Sequence, residues 1–366
     1  MNKILKVSIA LLLGLCICGC GGDTADTSSQ AASEVEASET ASTVSDNTSS
    51  TSSQGLTEEQ IMMSQYLMGG WNDSLKKLNQ MGEGKFIFGV QTDLHHKDTT
   101  ENPEYMRNLA ATTYFADFDF ISVLGDIVRG YTQDVDNPNN MRECMDDVVA
   151  RYTMANSPVL ITVGNHDANH MWTNKHMPGD YTTLISEKEH YSRVVAPIKE
   201  HNGDNMIVEG ENTYYYMDFP EDNVRVVMLN TSNGKFSESM SSTAMVSEEQ
   251  IDWLINKALD TDKYVIVMSH IPFYWPEGKE GAGEASVKNG GLVLQAVENF
   301  ISDGGKFVGY FHGHMHERTI HIDDNGRFHM GFMQGGNPGE AVMIDFEEKS
   351  VTSIILGNGK TREVRF

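Results

Sequence analysis

Five apolar runs in this chain each stop at a short cluster of metal-ligand residues. Phe86 to Val90 leads into Asp93-Leu94-His95, Phe118 to Leu124 into Gly125-Asp126, and Val159 to Val163 into Gly164-Asn165-His166-Asp167. Tyr264 to Met268 leads into His270, and Phe307 to Phe311 into Gly313-His314-Met315-His316. Apolar runs of roughly four to eight residues bounded by turn signals read as buried parallel strands. In an open α/β sheet, ligands bind just beyond the carboxyl ends of the strands. A chain patterned this way gathers Asp, Asn and His side chains along one sheet edge, and mixed N/O donors of that kind suit a divalent transition metal.

Between these runs the pattern alternates. Thr57-Glu58-Glu59-Gln60 opens a capping box for a helix through about Leu78. Strand 85–91, helix 103–116, strand 119–124, helix 140–155 and strand 159–163 follow. The insertion 169–213 reads as irregular and partly helical, with His170 and His176 structural or solvent-facing. Two adjacent strands come next, Tyr214 to Phe219 and Val224 to Leu229. Ser247 caps a helix through Leu259, whose Ile251, Leu254, Ile255 and Ala258 fall at core-facing spacing. Strand 264–268, helix 291–302 and strand 307–311 precede three closing strands (327–333, 340–346 and 351–357) that look antiparallel. Alternating βα units with a strand-rich end predict a single α/β domain over 56–366, two sheets packed together with helices outside.

The N-terminal segment addresses location. Residues 1–20 carry Lys3 and Lys6, an apolar stretch from Val7 to Ile17, and Cys18-Gly19-Cys20. The apolar stretch is too short to span a bilayer and has the form of a secretion signal. Ile17-Cys18-Gly19-Cys20 resembles a bacterial lipobox, which implies a lipid on Cys20 and a protein anchored outside the cytoplasm. Residues 21–55 are rich in Ser, Thr, Ala and Glu and nearly devoid of large apolar groups, the composition of a disordered tether. Of four cysteines only Cys144 lies beyond the signal, so the folded part has no intramolecular disulfide. Cys144 is expected to be a small buried hydrophobe.

The net charge of −25 is spread along the chain. Residues 21–60 hold eight acidic and no basic residues and the signal holds two lysines, which leaves 25 basic and 44 acidic residues, or −19, for the rest. A protein acting on long nucleic acid carries a basic footprint, and this chain has none. A small or membrane-proximal anionic substrate fits better.

The ligand clusters suggest a reaction. Asp93 and His95 can turn toward one ion where the strand stops being regular. Asp126 follows a glycine that leaves room, and its two oxygens can bridge two cations. Asn165 offers a neutral oxygen that leaves Lewis acidity intact, and His270, His314 and His316 offer imidazole nitrogen. Two shells sharing Asp126 would set two cations about 3.5–4 Å apart, a spacing that clamps attacking and leaving oxygens.

The order Asp-x-His, Gly-Asp, Gly-Asn-His-Asp, lone His, Gly-His-x-His over residues 85–320 resembles the calcineurin-like metallophosphoesterase superfamily. Leu229-Asn230-Thr231 and Glu248 to Leu254 resemble its middle section. The resemblance implies a four-layer α/β/β/α sandwich of two mixed β-sheets and a dinuclear metal centre that hydrolyses phosphoesters with a metal-bridging hydroxide. Asp93, His95, Asp126 and His316 would hold one metal, and Asp126, Asn165, His270 and His314 the other. His166 would protonate the leaving oxygen or steady the phosphate, with Asp167 orienting it. Mn, Fe, Zn and Co all suit such donors.

Two departures limit the transfer. Protein phosphatases of the superfamily carry Gly-Asp-x-x-Asp-Arg-Gly, whereas Gly125-Asp126-Ile127-Val128-Arg129-Gly130 is one residue shorter. Arg129 is therefore either a phosphate ligand or a solvated turn residue. Purple acid phosphatases place Tyr where Arg129 stands, which argues against a tyrosinate-bound ferric site. Tyr274 and Trp275, after His270, either wall a substrate pocket or belong to core or rim. His96 and His312 flank ligand positions, as supporting partners or satisfied histidines. Outside the enzyme class, a non-catalytic metal- or phosphate-binding lipoprotein and a scaffold on the same fold stay open.

Overall fold

A computed structural model describes residues 56–67, 71–100, 104–130, 138–177, 182–232, 244–276, 286–335 and 339–366. Cys20, the signal 1–20, the tether 21–55 and part of the loop after Trp275 (277–285) lie outside the described residues. The unit Glu58–Phe366 holds every described helix and strand.

Its first half alternates helix and strand: α1 (Glu58–Ser64), α2 (Trp71–Met81), β1 (Phe86–Gln91), α3 (Glu104–Thr112), β2 (Phe120–Leu124), α4 (Pro138–Tyr152) and β3 (Val159–Thr162). The insertion supplies α5 (His170–His176), α6 (Glu187–His190), a π-helical turn Tyr191–Val195 and α7 (Ala196–Asn202). Then come β4 (Met206–Ile207), β5 (Tyr215–Phe219), β6 (Val224–Leu229), α8 (Glu248–Trp253) with a π-helical continuation Leu254–Ala258, and β7 (Tyr264–Ser269). The chain ends with α9 (Gly290–Ser302), β8 (Lys306–His312), β9 (Thr319–Ile322), β10 (Phe328–Gly331), β11 (Glu340–Asp345), β12 (Ser350–Ile355) and β13 (Thr361–Arg365).

Two mixed sheets result. One has six strands in the order β13-β12-β11-β1-β2-β3, the other seven in the order β4-β5-β6-β7-β8-β10-β9. β1, β2 and β3 run parallel, as do β6, β7, β8 and β10. These central strands are buried on both faces, so they read as unbroken apolar runs. The sheets pack face to face through aromatic rings, with Phe88 of β1 edge-on to Phe311 of β8 at 5.3 Å. Polar bonds also cross between them: Tyr215 Oη meets both Ile161 N and Ile161 O at 2.9 Å, and Thr162 Oγ1 donates to Leu229 O at 2.8 Å. Trp71, Leu75, Leu109, Met145 and Val148 bring α2, α3 and α4 to the first sheet's apolar core. Ile251, Leu254, Val293 and Val297 cover the second from α8 and α9. The architecture is the four-layer α/β/β/α sandwich.

Three expectations change. Ile255, which its spacing placed on the core face, is exposed in the π-helical continuation of α8. The long first helix is two, α1 and α2. The closing strands are not one antiparallel set, because β10 leaves β11 and joins the second sheet, parallel to β8 and antiparallel to β9. The cause is a β9–β10 hairpin at Asp323-Asp324-Asn325-Gly326, where Asp323 Oδ1 accepts from Asn325 N and Arg327 N, both at 2.9 Å. An Asp-Asn-Gly turn between short alternating segments is a hairpin signal, and β9 is too short to announce itself otherwise. Cys144 is buried in the core, as expected.

Candidate metal centre

Parallel packing brings the carboxyl ends of β1, β2, β3, β7 and β8 to one edge, and the five polar clusters with them. The loop after β1 zips along the loop after β2: Asp93 N donates to Gly125 O at 3.0 Å, His95 N to Asp126 O at 2.9 Å and His96 N to Ile127 O at 3.1 Å. Asp93, His95, Asp126, His314 and His316 all have left-handed backbone, five of the eight described non-glycine residues with positive φ. Such conformations are uncommon outside glycine and persist only where the surroundings enforce them. Here they curl both D-x-H and H-x-H segments so that alternate side chains converge.

Three groups of ligand atoms result, each within 4.8 Å of one another: Asp93, His95 and His316; Asp126, His270 and His314; and His95, Asp126 and His166. The third group links the first two, sharing His95 with one and Asp126 with the other. His316 Nε2 lies 3.1 Å from Asp93 Oδ1 and 3.3 Å from His95 Nε2. On the other side His270 Nε2 lies 3.2 Å from Asp126 Oδ2 and 3.0 Å from Asn165 Oδ1. His270 Nδ1 donates to the Leu124 carbonyl at 2.7 Å, so in the neutral ring Nε2 presents its lone pair to the cluster. Two imidazole nitrogens facing each other over one carboxylate oxygen, and a third imidazole fixed in the ligating tautomer, fit a pair of cations well.

The electrostatics agree. Burial pushes the carboxyls of Asp93 and Asp126 up, but the neighbouring imidazoles, His270 foremost, outweigh it and hold both below the usual carboxylate range. Burial alone would lower His270, yet the carboxylates of Asp126 and Asp93 raise it. The site therefore concentrates negative charge that a cation can replace a proton in balancing. His95 is pushed down to about 4, chiefly by burial, which keeps it a neutral donor.

His166 approaches this cluster from β3, its Nε2 3.8 Å from Asp126 Oδ2 and its ring 4.7 Å from that of His95. Its Nδ1 donates to the Arg129 carbonyl at 2.6 Å. Asp167 does not orient it: Asp167 Oδ1 accepts from Val128 N at 3.0 Å and Oδ2 from Gly164 N at 2.7 Å. Burial, with Asp126 adding to it, raises the Asp167 carboxyl to about 8. Asp167 is thus a clamp between the β2 and β3 loops, and a backbone carbonyl does the orienting. Arg129 contributes that carbonyl while its side chain is exposed.

The aromatic candidates pack on the β8–β10 histidines. Tyr274 sits 5.5 Å from the ring of His329, and Trp275, buried, lies edge-on to His321 at 4.7 Å and to His312 at 6.4 Å. His312 is buried and its Nδ1 meets the Gly313 carbonyl at 3.0 Å. His176 is exposed. His170 and His190 are buried, packed beside the backbones of Asn165 and Asp167 respectively. Those two supports come from the insertion, and no motif spacing advertises them.

The fold and ligand groups define a metal-dependent hydrolase on a two-sheet α/β scaffold. The family model for calcineurin-like phosphoesterases matches residues 86–318, more than half of the chain, and the chain belongs to that family. It is a phosphoester hydrolase. Among solved structures it is similar to a dimetal phosphatase from Danio rerio, with 16% identity over 77% of this chain and 99% of that one and a TM-score of 0.52. It is also similar to a protein of Thermus thermophilus designated TT1561 (10% identity, 77% of this chain and 99% of that one, TM-score 0.40). A 5'-nucleotidase from Candida albicans matches at 17% identity over 74% of this chain and 47% of that one, with a TM-score of 0.40. At such identities these are likenesses of fold. No curated protein sequence matches the chain.

Proposed function

We propose that this protein hydrolyses a small or membrane-proximal phosphoester outside the cytoplasm, tethered to a bacterial membrane by lipid on Cys20. Asp93, His95, Asp126 and His316 would hold one divalent transition metal ion, and Asp126, Asn165, His270 and His314 a second, with Mn, Fe, Zn or Co as the candidates. The observation that carries this reading is the place of Asp126, which belongs to two ligand groups, one with His95 and His166 and one with His270 and His314. When bound, the two cations supply Lewis acidity toward phosphoryl oxygens and a water acidified to near neutral pH.

The chain's own residues divide the rest. Because Nδ1 of His166 is committed to the Arg129 carbonyl, Nε2 is the atom that can hand a proton to the leaving oxygen. Asp167 holds the two loops at fixed separation, so His166 and Asp126 keep their relative position. Arg129, exposed beside them, is free to bind a phosphoryl oxygen of the incoming substrate, a contact that sets affinity and not kcat. The charge of −19 outside the signal and residues 21–60 disfavours long nucleic acid as substrate. It leaves nucleotides, sugar phosphates, lipid headgroups and cell-wall phosphodiesters.

The test combines metal analysis with a panel of phosphomonoesters and cyclic and linear phosphodiesters. Activity on at least one member after Mn, Zn, Fe or Co reconstitution is expected, and on esters whose leaving group needs a proton it should fall by about 100-fold or more in His166→Ala with metals retained. No turnover under any reconstitution refutes the hydrolytic mechanism. In a bacterial host, Cys20→Ser should move the protein out of the membrane fraction, and unchanged partitioning would refute the lipid anchor.

A further inference from the structure

Helix α4 reaches the metal centre through a short polar chain. Asp147 Oδ2 accepts from Arg151 Nε at 2.9 Å and from His96 Nε2 at 2.8 Å, and lies 2.8 Å from Arg151 Nη2 in the same ion pair. The side chains of Arg151 and His96 are almost wholly enclosed and that of Asp147 is a quarter exposed. One turn and more away on the same helix, Asn140 Nδ2 donates to Lys97 O at 2.7 Å. The segment following the ligand His95 is therefore pinned to α4 at two successive residues.

His96 passes this placement on through its peptide. Its carbonyl accepts from Arg129 N at 3.0 Å while its N–H donates to Ile127 O at 3.1 Å, a short parallel bridge between the loops. The carbonyl of that same Arg129 receives the Nδ1 proton of His166. A buried ion-pair chain is an expensive way to hold a helix against a sheet, since apolar side chains of like volume serve as well or better. Its yield is directional: it fixes where one carbonyl points.

We infer that Arg151, Asp147 and His96 are positioning residues that place the Arg129 carbonyl and through it the His166 imidazole. This rests on the reading of His166 as proton donor to the leaving group. None of the three touches the reacting atoms. They stand in for a carboxylate on His166 Nδ1, since the carboxylate of Asp167 is spent on two backbone amides.

The experiment compares two phosphomonoesters in the metal-loaded full chain. An aryl ester with a nitrophenolate leaving group departs without protonation; a simple alkyl ester needs the proton. Asp147→Ala and His96→Gln should lower kcat on the alkyl ester roughly 10- to 100-fold and on the aryl ester less than about threefold, with KM and metal content unchanged. In a His166→Ala background, Asp147→Ala should cause no further loss. The isosteric Asp147→Asn keeps one acceptor oxygen; it should show the same asymmetry on a smaller scale, and it decides the matter if the alanine variant does not fold. Equal losses on both esters, or independent losses in the double variant, would overturn the inference and make the chain merely structural. A wild-type protein inactive on every phosphoester would instead sink the catalytic reading itself, and this one with it.

Discussion

Gly164 is a point of close approach between the β2 and β3 loops, and replacing it by alanine tests whether that approach builds the metal centre. The residue has no positive φ, so alanine is acceptable to its own backbone. Its neighbour is the obstacle: a Cβ there would lie 2.8 Å from Asp126 Cα and closer still to the Asp126 amide and carboxylate. Ordinary carbon contacts begin near ~3.5 Å, so the loops must part by roughly 0.7 Å against the Cα and further against the amide. That separates Asn165 from Asp126 and strains the Asp167 bonds that span both loops. Misplacement of catalytic groups by about 1 Å costs on the order of 100-fold in rate. We expect Gly164→Ala to fold, with a far-ultraviolet spectrum like wild type, but to lose about two orders of magnitude in kcat/KM. Its affinity for at least one metal, measured by competition with a chelator, should fall comparably. A variant that binds two metal equivalents normally and turns over within about threefold of wild type would show that the close approach is incidental.

Two further outcomes follow from side-chain environments. His190 is fully enclosed, and burial lowers it from the ordinary 6.5 to about 4, against the pull of the Asp167 backbone and Glu189. The unfolded chain takes up its proton near 6.5 and the folded one only near 4, so stability is complete above 6.5 and is lost as pH falls toward 4. At about pH 5 the loss amounts to about 2 kcal/mol. Urea unfolding of His190→Leu at about pH 7 and about pH 5 should show that much less acid destabilisation than wild type; identical losses would refute it. For Arg129, only the carbonyl holds His166, so Arg129→Ala should leave kcat within about threefold. A collapse of kcat like that of His166→Ala would reassign the side chain to the transition state.

Much of the site was legible because buried parallel strands announce themselves as apolar runs and place whatever follows at a common edge. Asp93, His95, Asp126, Asn165, His270, His314 and His316 are side-chain donors at such ends, and the structure brings all of them together. The rest is carried by backbone or by distant side chains. The Arg129 and Leu124 carbonyls have no sequence signature. Asp147 lies far along the chain from His96 and in the middle of a helix, where an acidic residue ordinarily means solvent. His170 and His190 lie in an insertion without periodic signal. Asp167 sits where the family resemblance implies a partner for His166, yet the tight turn commits its oxygens to Gly164 N and Val128 N. The β9–β10 hairpin is faint in the sequence because four-residue strands barely exceed a turn in length.

The left-handed ligands explain why the clusters had to be short and abrupt. In a regular strand, alternate side chains share a face but stand about 7 Å apart, too far for both to ligate one ion. Asp93 with His95, and His314 with His316, close that gap by turning the backbone to positive φ at both members of each pair. Each such residue costs on the order of 1 kcal/mol or more, and a lone strand end would relax out of it. Asp93 N and His95 N are instead locked to the Gly125 and Asp126 carbonyls, and His314 N to Asp93 Oδ2 at 3.0 Å. The strain at one loop is thus held by hydrogen bonds from the next, so the clusters are a mutually braced set and the removal of one loop's anchor should be felt at ligands it never touches. That is the logic by which a helix on the outer face, through Asp147 and His96, can govern an imidazole beside the metals.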